Sequence, residues 1–332
     1  MASNRPVALL LPGQGAQYPR MAAGLYGDEP TFTAVMDQAF DLLGAELRAD
    51  WLTSTPSEHF DDVTRAQPLL YAVGYGLGRL VLSWGIEPVA LLGHSVGELV
   101  AATLCGVLTF EDGLRLMADR VEQYAATPPG GMLAVAASVE ELTPFLGGGL
   151  AVAAVNAPRQ TLVAGTAEEL AELRRSLSEA GITSLPTRAK QGFHSPVVAG
   201  AAAGTLGAWR TTSLAPATRR IYSSHLASVL GEKLATDPEF WAWQPTMTVL
   251  FWPSLDLLLR QEREVLLLEV GPGQGLTAIA RRHPAVAHGA SDARALLPAR
   301  HSTDQADRDS VADVRAWLAA DGHVLRPGAV AA

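Results

Sequence analysis

The pentapeptide Gly93-His94-Ser95-Val96-Gly97 constrains this chain more than any other feature. It follows a short apolar run, Val89–Leu92, and leads into a helical pattern. Strand, Gly-x-Ser-x-Gly and helix in that order are the context of a nucleophile elbow. There the glycines allow a sharp backbone turn and the serine hydroxyl stands at its apex. The backbone N–H of Val96, at the helix N-terminus, then faces the position of a developing oxyanion. The same five residues also occur as an ordinary Gly-Ser turn. The flanking strand and helix favour Ser95 as a nucleophile.

The hydrophobic pattern supplies the frame. Val7–Leu11 is a continuous apolar run halted by Pro12-Gly13, as in a buried parallel strand. Gln67–Trp84 reads as a long buried helix ended by Gly85, and about Phe110–Ala126 as a helix carrying Leu114, Met117, Val121 and Tyr124 at helical spacing. The breaker cluster Pro128-Pro129-Gly130-Gly131 changes the pattern. Strands then alternate with helices in the order β-α-β-β-α-β. The strands are Met132–Ala137, Leu150–Val155, Thr161–Ala164 and Thr183–Ala189, and the helices Val139–Phe145 and Ala167–Ala180. That order is the split ferredoxin-like unit. A length of 332 residues allows two domains or one with an insertion. The reading is therefore an α/β chain with a large body formed by residues 1–129 and 191–300. A small subdomain of residues 130–190 is inserted in it. Residues 301–332 form a tail, with a helix at Ser310–Ala320 and a flexible end at Pro327–Ala332. Val265–Val270 is a further strand, ending at Gly271-Pro272-Gly273.

Composition removes several function classes. With 48% hydrophobic and 18% charged residues, the chain buries a full core and is not disordered. A net charge of -9 argues against general nucleic-acid binding. One cysteine, Cys105, leaves no disulfide framework and no cysteine-based metal site. No apolar run of about 18 residues suggests a membrane span, and Met1–Pro6 does not open a signal peptide. A cytoplasmic enzyme is the expectation.

A serine nucleophile needs a base, and there are eight histidines to choose from. His94 adjoins Ser95 but points off the elbow the other way. His283, His288, His301 and His323 lie in polar C-terminal segments, and His59 and His225 in turn-like contexts. His194 follows the apolar Phe193 where the chain returns from the small subdomain, at a seam where clefts form. An exposed loop histidine is the competing reading. The loop Pro12-Gly13-Gln14-Gly15-Ala16-Gln17 lacks the Lys-Ser/Thr of a P-loop and the full dinucleotide fingerprint, so a second oxyanion donor suits it better. Gly271–Gly275 resembles it and alone decides nothing. Arg120 is either a surface residue snorkelling from its helix or a buried fork for a carboxylate, and periodicity favours the surface.

These pieces, in this order, resemble the malonyl-CoA:acyl-carrier-protein transacylases, the acyltransferase family of fatty-acid and polyketide synthesis. The resemblance covers about residues 5–285. It is carried by Leu11–Gln17, Gln67-Pro68-Leu69-Leu70, Trp84–Pro88, Gly93–Glu98, Pro129–Met132, Asn156-Ala157-Pro158, Gly192-Phe193-His194-Ser195-Pro196 and Glu269–Gly273. It implies an α/β-hydrolase-like core with a parallel sheet and an inserted ferredoxin-like subdomain. It also implies a Ser95–His194 dyad, with the histidine oriented by a backbone carbonyl that matches Gln244. The backbone N–H groups of Gln14 and Val96 would form the oxyanion hole. Arg120, 25 positions after Ser95, matches the arginine that holds the free carboxylate of a malonyl group, which reverses the surface reading. Phe193 resembles malonyl-selective members. Gln191-Gly192 departs from the usual His-Ala, and Gln191 is a candidate substrate contact. No metal or cofactor is implied beyond the CoA thioester and the phosphopantetheine arm as substrates. The implied partners of this monomer are malonyl-CoA, or another acyl-CoA, and an acyl carrier protein. Arg188 with Lys190, Arg219 with Arg220, and Arg281 with Arg282 are candidate docking groups, with solvated surface charge the plainer reading of each pair. Competing readings are transfer of a non-malonyl acyl group between carrier proteins, an editing acyl-carrier-protein hydrolase, and a silent carrier-binding scaffold.

Overall fold

Ten strands succeed one another along the chain: β1 (Val7–Leu11), β2 (Ala90–Gly93), β3 (Gly130–Val135), β4 (Ala151–Ala157), β5 (Gln160–Thr166), β6 (Ser184–Pro186), β7 (Arg220–Ser223), β8 (Ser228–Val229), β9 (Leu266–Glu269) and β10 (Asp292–Ala295). They belong to a computed structural model that describes residues 4–55 and 57–326. The end expected to be flexible, Pro327–Ala332, lies outside the described residues.

Six strands form one sheet in the order β10-β9-β1-β2-β7-β8. All are parallel except β8, which returns antiparallel to β7. β1, β2 and β9 are buried along their whole length, which is why they read as unbroken apolar runs. Side chains alternate between two cores. Leu9, Leu11, Leu91, Leu266 and Leu268 face the larger one, covered by helices that include Val63–Ser83, Val96–Leu104 and Phe110–Ala125. Ala8, Leu10, Leu92 and Leu267 face the other, covered by the helices Phe251–Gln261 and Gly275–Ala280.

The second sheet, β4-β5-β3-β6, is antiparallel throughout. Its strand order is that of a ferredoxin-like unit, and its core is Leu133, Val135, Val163, Leu170, Leu173 and Leu177. Both of its helices open with capping boxes, Ser138 with Glu141 and Thr166 with Glu169. The first is shorter than the pattern suggests. It stops at Leu142 and continues as a 3-10 turn over Thr143–Phe145, because Pro144 has no N–H to give an α-helical bond.

The last helix departs more from expectation. It runs Asp304–Asp321 and starts six residues before Ser310, capped by the Thr303 side chain, which accepts from Ala306 N–H. Val311, Val314, Trp317 and Leu318 join the larger core. Buried Asp307 accepts from Gly24 N–H at 3.0 Å, and Arg5 pairs with Asp321 at 2.8 Å. This helix is therefore part of the large body and not a separate tail. No helix among the described residues is long and apolar enough to cross a membrane.

Candidate active site

The turn between β2 and the Val96–Leu104 helix holds Ser95 at φ 53°, ψ -120°. An L-residue adopts that backbone at a cost of about 1–3 kcal/mol, and it persists only where the surroundings force it. Two glycines do so here. A Cβ on Gly93 would meet the Glu98 nitrogen at 2.2 Å, and one on Gly97 the Leu11 carbonyl oxygen at 2.0 Å. The helix start is thereby pressed onto the end of β1. Glu98 ties it to β7, accepting from Ser223 Oγ at 2.6 Å, Ser224 N–H at 2.8 Å and Ser224 Oγ at 2.9 Å. Full burial pushes the Glu98 carboxyl up to about 7, with those donors opposing.

His194 completes the pair. Ser95 Oγ lies 2.8 Å from its Nε2, and its Nδ1 lies 2.8 Å from the carbonyl oxygen of Met247. The carbonyl can only accept, so Nδ1 carries the proton and Nε2 is free to take one from Ser95. The His194 backbone, at φ 62°, donates to the Pro245 carbonyl at 2.6 Å. Burial, then the neighbouring His94, push the imidazole down to about 3, so it is neutral at physiological pH.

The family resemblance puts the orienting carbonyl at Gln244. The hydrogen bond instead goes to Met247, three residues on, and the Gln244 backbone is a weaker second influence. The local fold gives the reason. Gln244–Thr246 is a 3-10 turn whose first carbonyl accepts from Met247 N–H at 3.0 Å. The chain then extends and joins the edge of β4. Thr248 Oγ donates to the Val152 carbonyl at 2.8 Å, Val249 N–H to the Ala153 carbonyl at 2.9 Å, and Val155 N–H to the Val249 carbonyl at 2.8 Å. This lacing aims the Met247 carbonyl at His194.

Among the described residues, the backbone N–H groups of Gln14 and Val96 have no protein acceptor. Gln14 lies with Ser95, His194, Gln67 and Phe193 around a cavity of about 30 Å³. Gln67, buried, donates to Gln14 Oε1 at 2.9 Å and so sets that loop, a role that sequence reasoning does not give it. A wider cleft of about 370 Å³ adjoins, lined by Pro12–Ala16, His94, Asn156, Gln160 and Gly273–Leu276. The second glycine-rich turn therefore lines the same edge as the first.

Arg120 is buried, at 6% exposure, and not on the surface as periodicity suggests. Its guanidinium sits 5.4 Å from the Tyr124 ring centre. No hydrogen bond or ion pair reaches it among the described residues, and its Nε is buried without a partner. Its charge also bears on His194. Phe193 stacks on Tyr124 with ring centres 5.2 Å apart. Gln191 is half-buried, its Oε1 without a partner, and it does not line the Ser95 cavity. His94 Nε2 lies 2.9 Å from Asn156 Oδ1, and the residue lines both the Ser95 cavity and the wider cleft. His225 reads from the sequence as a turn residue but is buried, its ring 5.4 Å from that of His194. Of the basic pairs, Arg188 and Lys190 are bound to Asp61 and Asp62 at 3.6 and 2.5 Å, and Arg220 to Glu262. Arg282 donates to Gln160, on the wall of the wider cleft, at 2.5 Å.

Comparison with known proteins identifies the family and the fold. A family model for the acyl transferase domain matches residues 9–312. A phenolphthiocerol/phthiocerol polyketide synthase protein of Mycobacterium tuberculosis is 34% identical over 282 residues, covering 84% of this chain. The chain spans only 19% of that protein's length. The crystal structure of the acyl transferase domain of SpnD, in complex with 2-(pent-4-yn-1-yl)malonyl, superimposes with a TM-score of 0.88 at 29% identity. That match covers 96% of this chain and 77% of that one. FabD from Acinetobacter baumannii shares the fold, with a TM-score of 0.81 at 22% identity over 96% of this chain and all of that one.

Proposed function

The chain belongs to the acyltransferase domain family, and we propose that it moves a malonyl-type acyl group from CoA, through an acyl-Ser95 intermediate, to the phosphopantetheine thiol of an acyl carrier protein. The pathway would be polyketide or fatty-acid synthesis. His194 Nε2 takes the Ser95 proton as Oγ attacks the thioester carbonyl. The Met247 carbonyl, bonded to Nδ1–H, holds the ring in line and faces the charge that develops on it. The Gln14 and Val96 N–H groups receive the oxyanion, each donor worth roughly 3–4 kcal/mol. The intermediate collapses, the CoA thiolate leaves with the proton from His194, and the carrier thiol repeats the sequence in reverse.

The observation that carries the malonyl assignment is Arg120, a buried cation with no anion of its own among the described residues, whose charge reaches His194. A guanidinium in that state is completed by a carboxylate from outside. The narrow space at Ser95, with Phe193 on its wall, supports a small unbranched acyl group. The wider cleft along the two glycine-rich turns suits the thioester arm, and Arg282, bound to Gln160 on its wall, suits the acidic surface of a carrier protein. An editing hydrolase or a carrier of uncharged acyl groups would have no use for Arg120.

Intact mass after incubation with malonyl-CoA tests this. The expected result is one malonyl adduct, lost in Ser95→Ala and chased onto added holo carrier protein. An adduct that only hydrolyses, or one that forms with acetyl-CoA and not malonyl-CoA, overturns the assignment.

A further inference from the structure

Against the His194 imidazole stands a group the mechanism above does not use. His225 lies in the loop that follows β7, is 5% exposed, and faces the His194 imidazole at 5.4 Å between ring centres and 30° between planes. Both of its ring nitrogens are buried and lack a well-formed hydrogen bond among the described residues. The backbones of Thr248 and Met247 act on its ring, and Met247 supplies the carbonyl that His194 Nδ1–H uses.

The loop itself is held firmly. Ser223 and Ser224 are bound by Glu98 on the elbow helix, the Ser224 carbonyl accepts from Leu250 N–H at 2.5 Å, and Ser254 Oγ donates to the Ser223 carbonyl at 3.0 Å. The helix that presents the nucleophile therefore also fixes the ring against the base.

We propose that His225 is a positioning residue for His194: its ring closes one side of the imidazole to water and holds it between the Met247 carbonyl and the Ser95 hydroxyl. This rests on the reading of Ser95 and His194 as nucleophile and base. The titratable and charged groups facing His194 are His94 from the elbow, Arg120 from the Phe110–Ala125 helix and His225 from the β7 loop, with Glu98 beneath that loop. His94 and Arg120 disfavour a proton on His194, as burial does, and the Met247 hydrogen bond opposes them. Water admitted beside the ring would weaken the effect of burial and let His194 protonate nearer to the ordinary histidine range.

The test is the rate at which a fluorophosphonate, a probe for activated serines that does not depend on the acyl group, labels the full chain between pH 5 and 8, read by intact mass. His225→Ala and His225→Asn, which open the space beside the ring, should label a few-fold more slowly than the native chain at pH 8, where the imidazole is neutral but less firmly held. At pH 5.5 they should be slower by about a further tenfold, as a base with its pKa raised to near 6.5 dictates. His225→Phe, which refills the space, should keep the native profile. Labelling of either smaller variant with the native pH profile overturns the proposal, and so does a His225→Phe variant as impaired as His225→Ala. Undiminished labelling of Ser95→Ala would instead overturn the dyad itself.

Discussion

Replacing Arg120 by methionine should make the protein more stable and worse at its proposed reaction, and the two effects can be sized separately. The guanidinium is buried with no carboxylate partner among the described residues, so the folded chain bears its desolvation, several kcal/mol for a buried ion. The Tyr124 ring at 5.4 Å returns about 1–2 kcal/mol. Methionine fills a similar length without charge. The net gain is then roughly 1–3 kcal/mol, a rise in Tm of roughly 1–4 °C for a chain of 332 residues. The substrate side runs the other way. Removing one partner of a buried, hydrogen-bonded charge pair costs about 2–5 kcal/mol, which is roughly 30- to 4,000-fold in kcat/KM for loading from malonyl-CoA. Acetyl-CoA has no free carboxylate, so its loading should be unchanged or faster. Thermal melts and adduct formation with both thioesters make the measurement. A lower Tm would mean that Arg120 has a structural partner, and an equal fall with both thioesters would mean that it does not read the carboxylate. Either result refutes the reasoning.

Other perturbations follow from the same geometry. His94, His194 and His225 are held below the ordinary histidine value, so below about pH 6.5 the unfolded chain takes up protons there that the folded chain does not, and stability falls with pH. Glu98 and Glu269, both raised to about 7, act oppositely, since the folded chain holds protons that the unfolded chain releases down to about 4.5. As the pH falls below about 6.5 the three histidines lower the stability and the two carboxyls raise it, so in Glu98→Gln, where one of the opposing groups is removed, urea midpoints should fall more steeply with pH than in the native chain. Phe193→Ala should lose about 3–5 kcal/mol through the cavity left beside Tyr124 and should gain loading from an α-branched malonyl-CoA relative to malonyl-CoA, read by melts and adduct mass. Gly97→Ala places a methyl 2.0 Å from the Leu11 carbonyl and should cost at least about 3 kcal/mol, with labelling of Ser95 abolished even where folded protein remains by circular dichroism.

What the sequence made legible was local. The elbow shows itself because only glycine fits at positions 93 and 97, and the small sheet because its alternating strands and capped helices write their own periodicity. Arg120 carries a signal that points against the surface reading. It falls three residues after Met117 and four before Tyr124, within the buried stripe of its helix, and a charged residue on such a stripe points inward. His225 and Met247 give no signal of that kind. One reaches the base from a loop 31 positions along the chain, and the other contributes a backbone carbonyl, which no side-chain pattern records. The start of the last helix is hidden because its first two turns are mostly polar, and buried Asp307 answers a backbone N–H of Gly24 from the opposite end of the chain.

The lacing of Thr248 and Val249 to the edge of β4 bears on how such domains can be recombined. The carbonyl that aims His194 is held through Val152, Ala153 and Val155, so the small sheet acts as the jig in which the base is set. A chimera that exchanges residues 130–190 with a relative's would keep every side chain of the dyad, and could still leave the imidazole off line where the two edges fit imperfectly. A graft carrying residues 130–250 as one piece moves the jig with the part it holds. Exchanges of substrate preference built on that longer cassette should preserve the rate at which Ser95 is labelled, and those built on the shorter one should lose it.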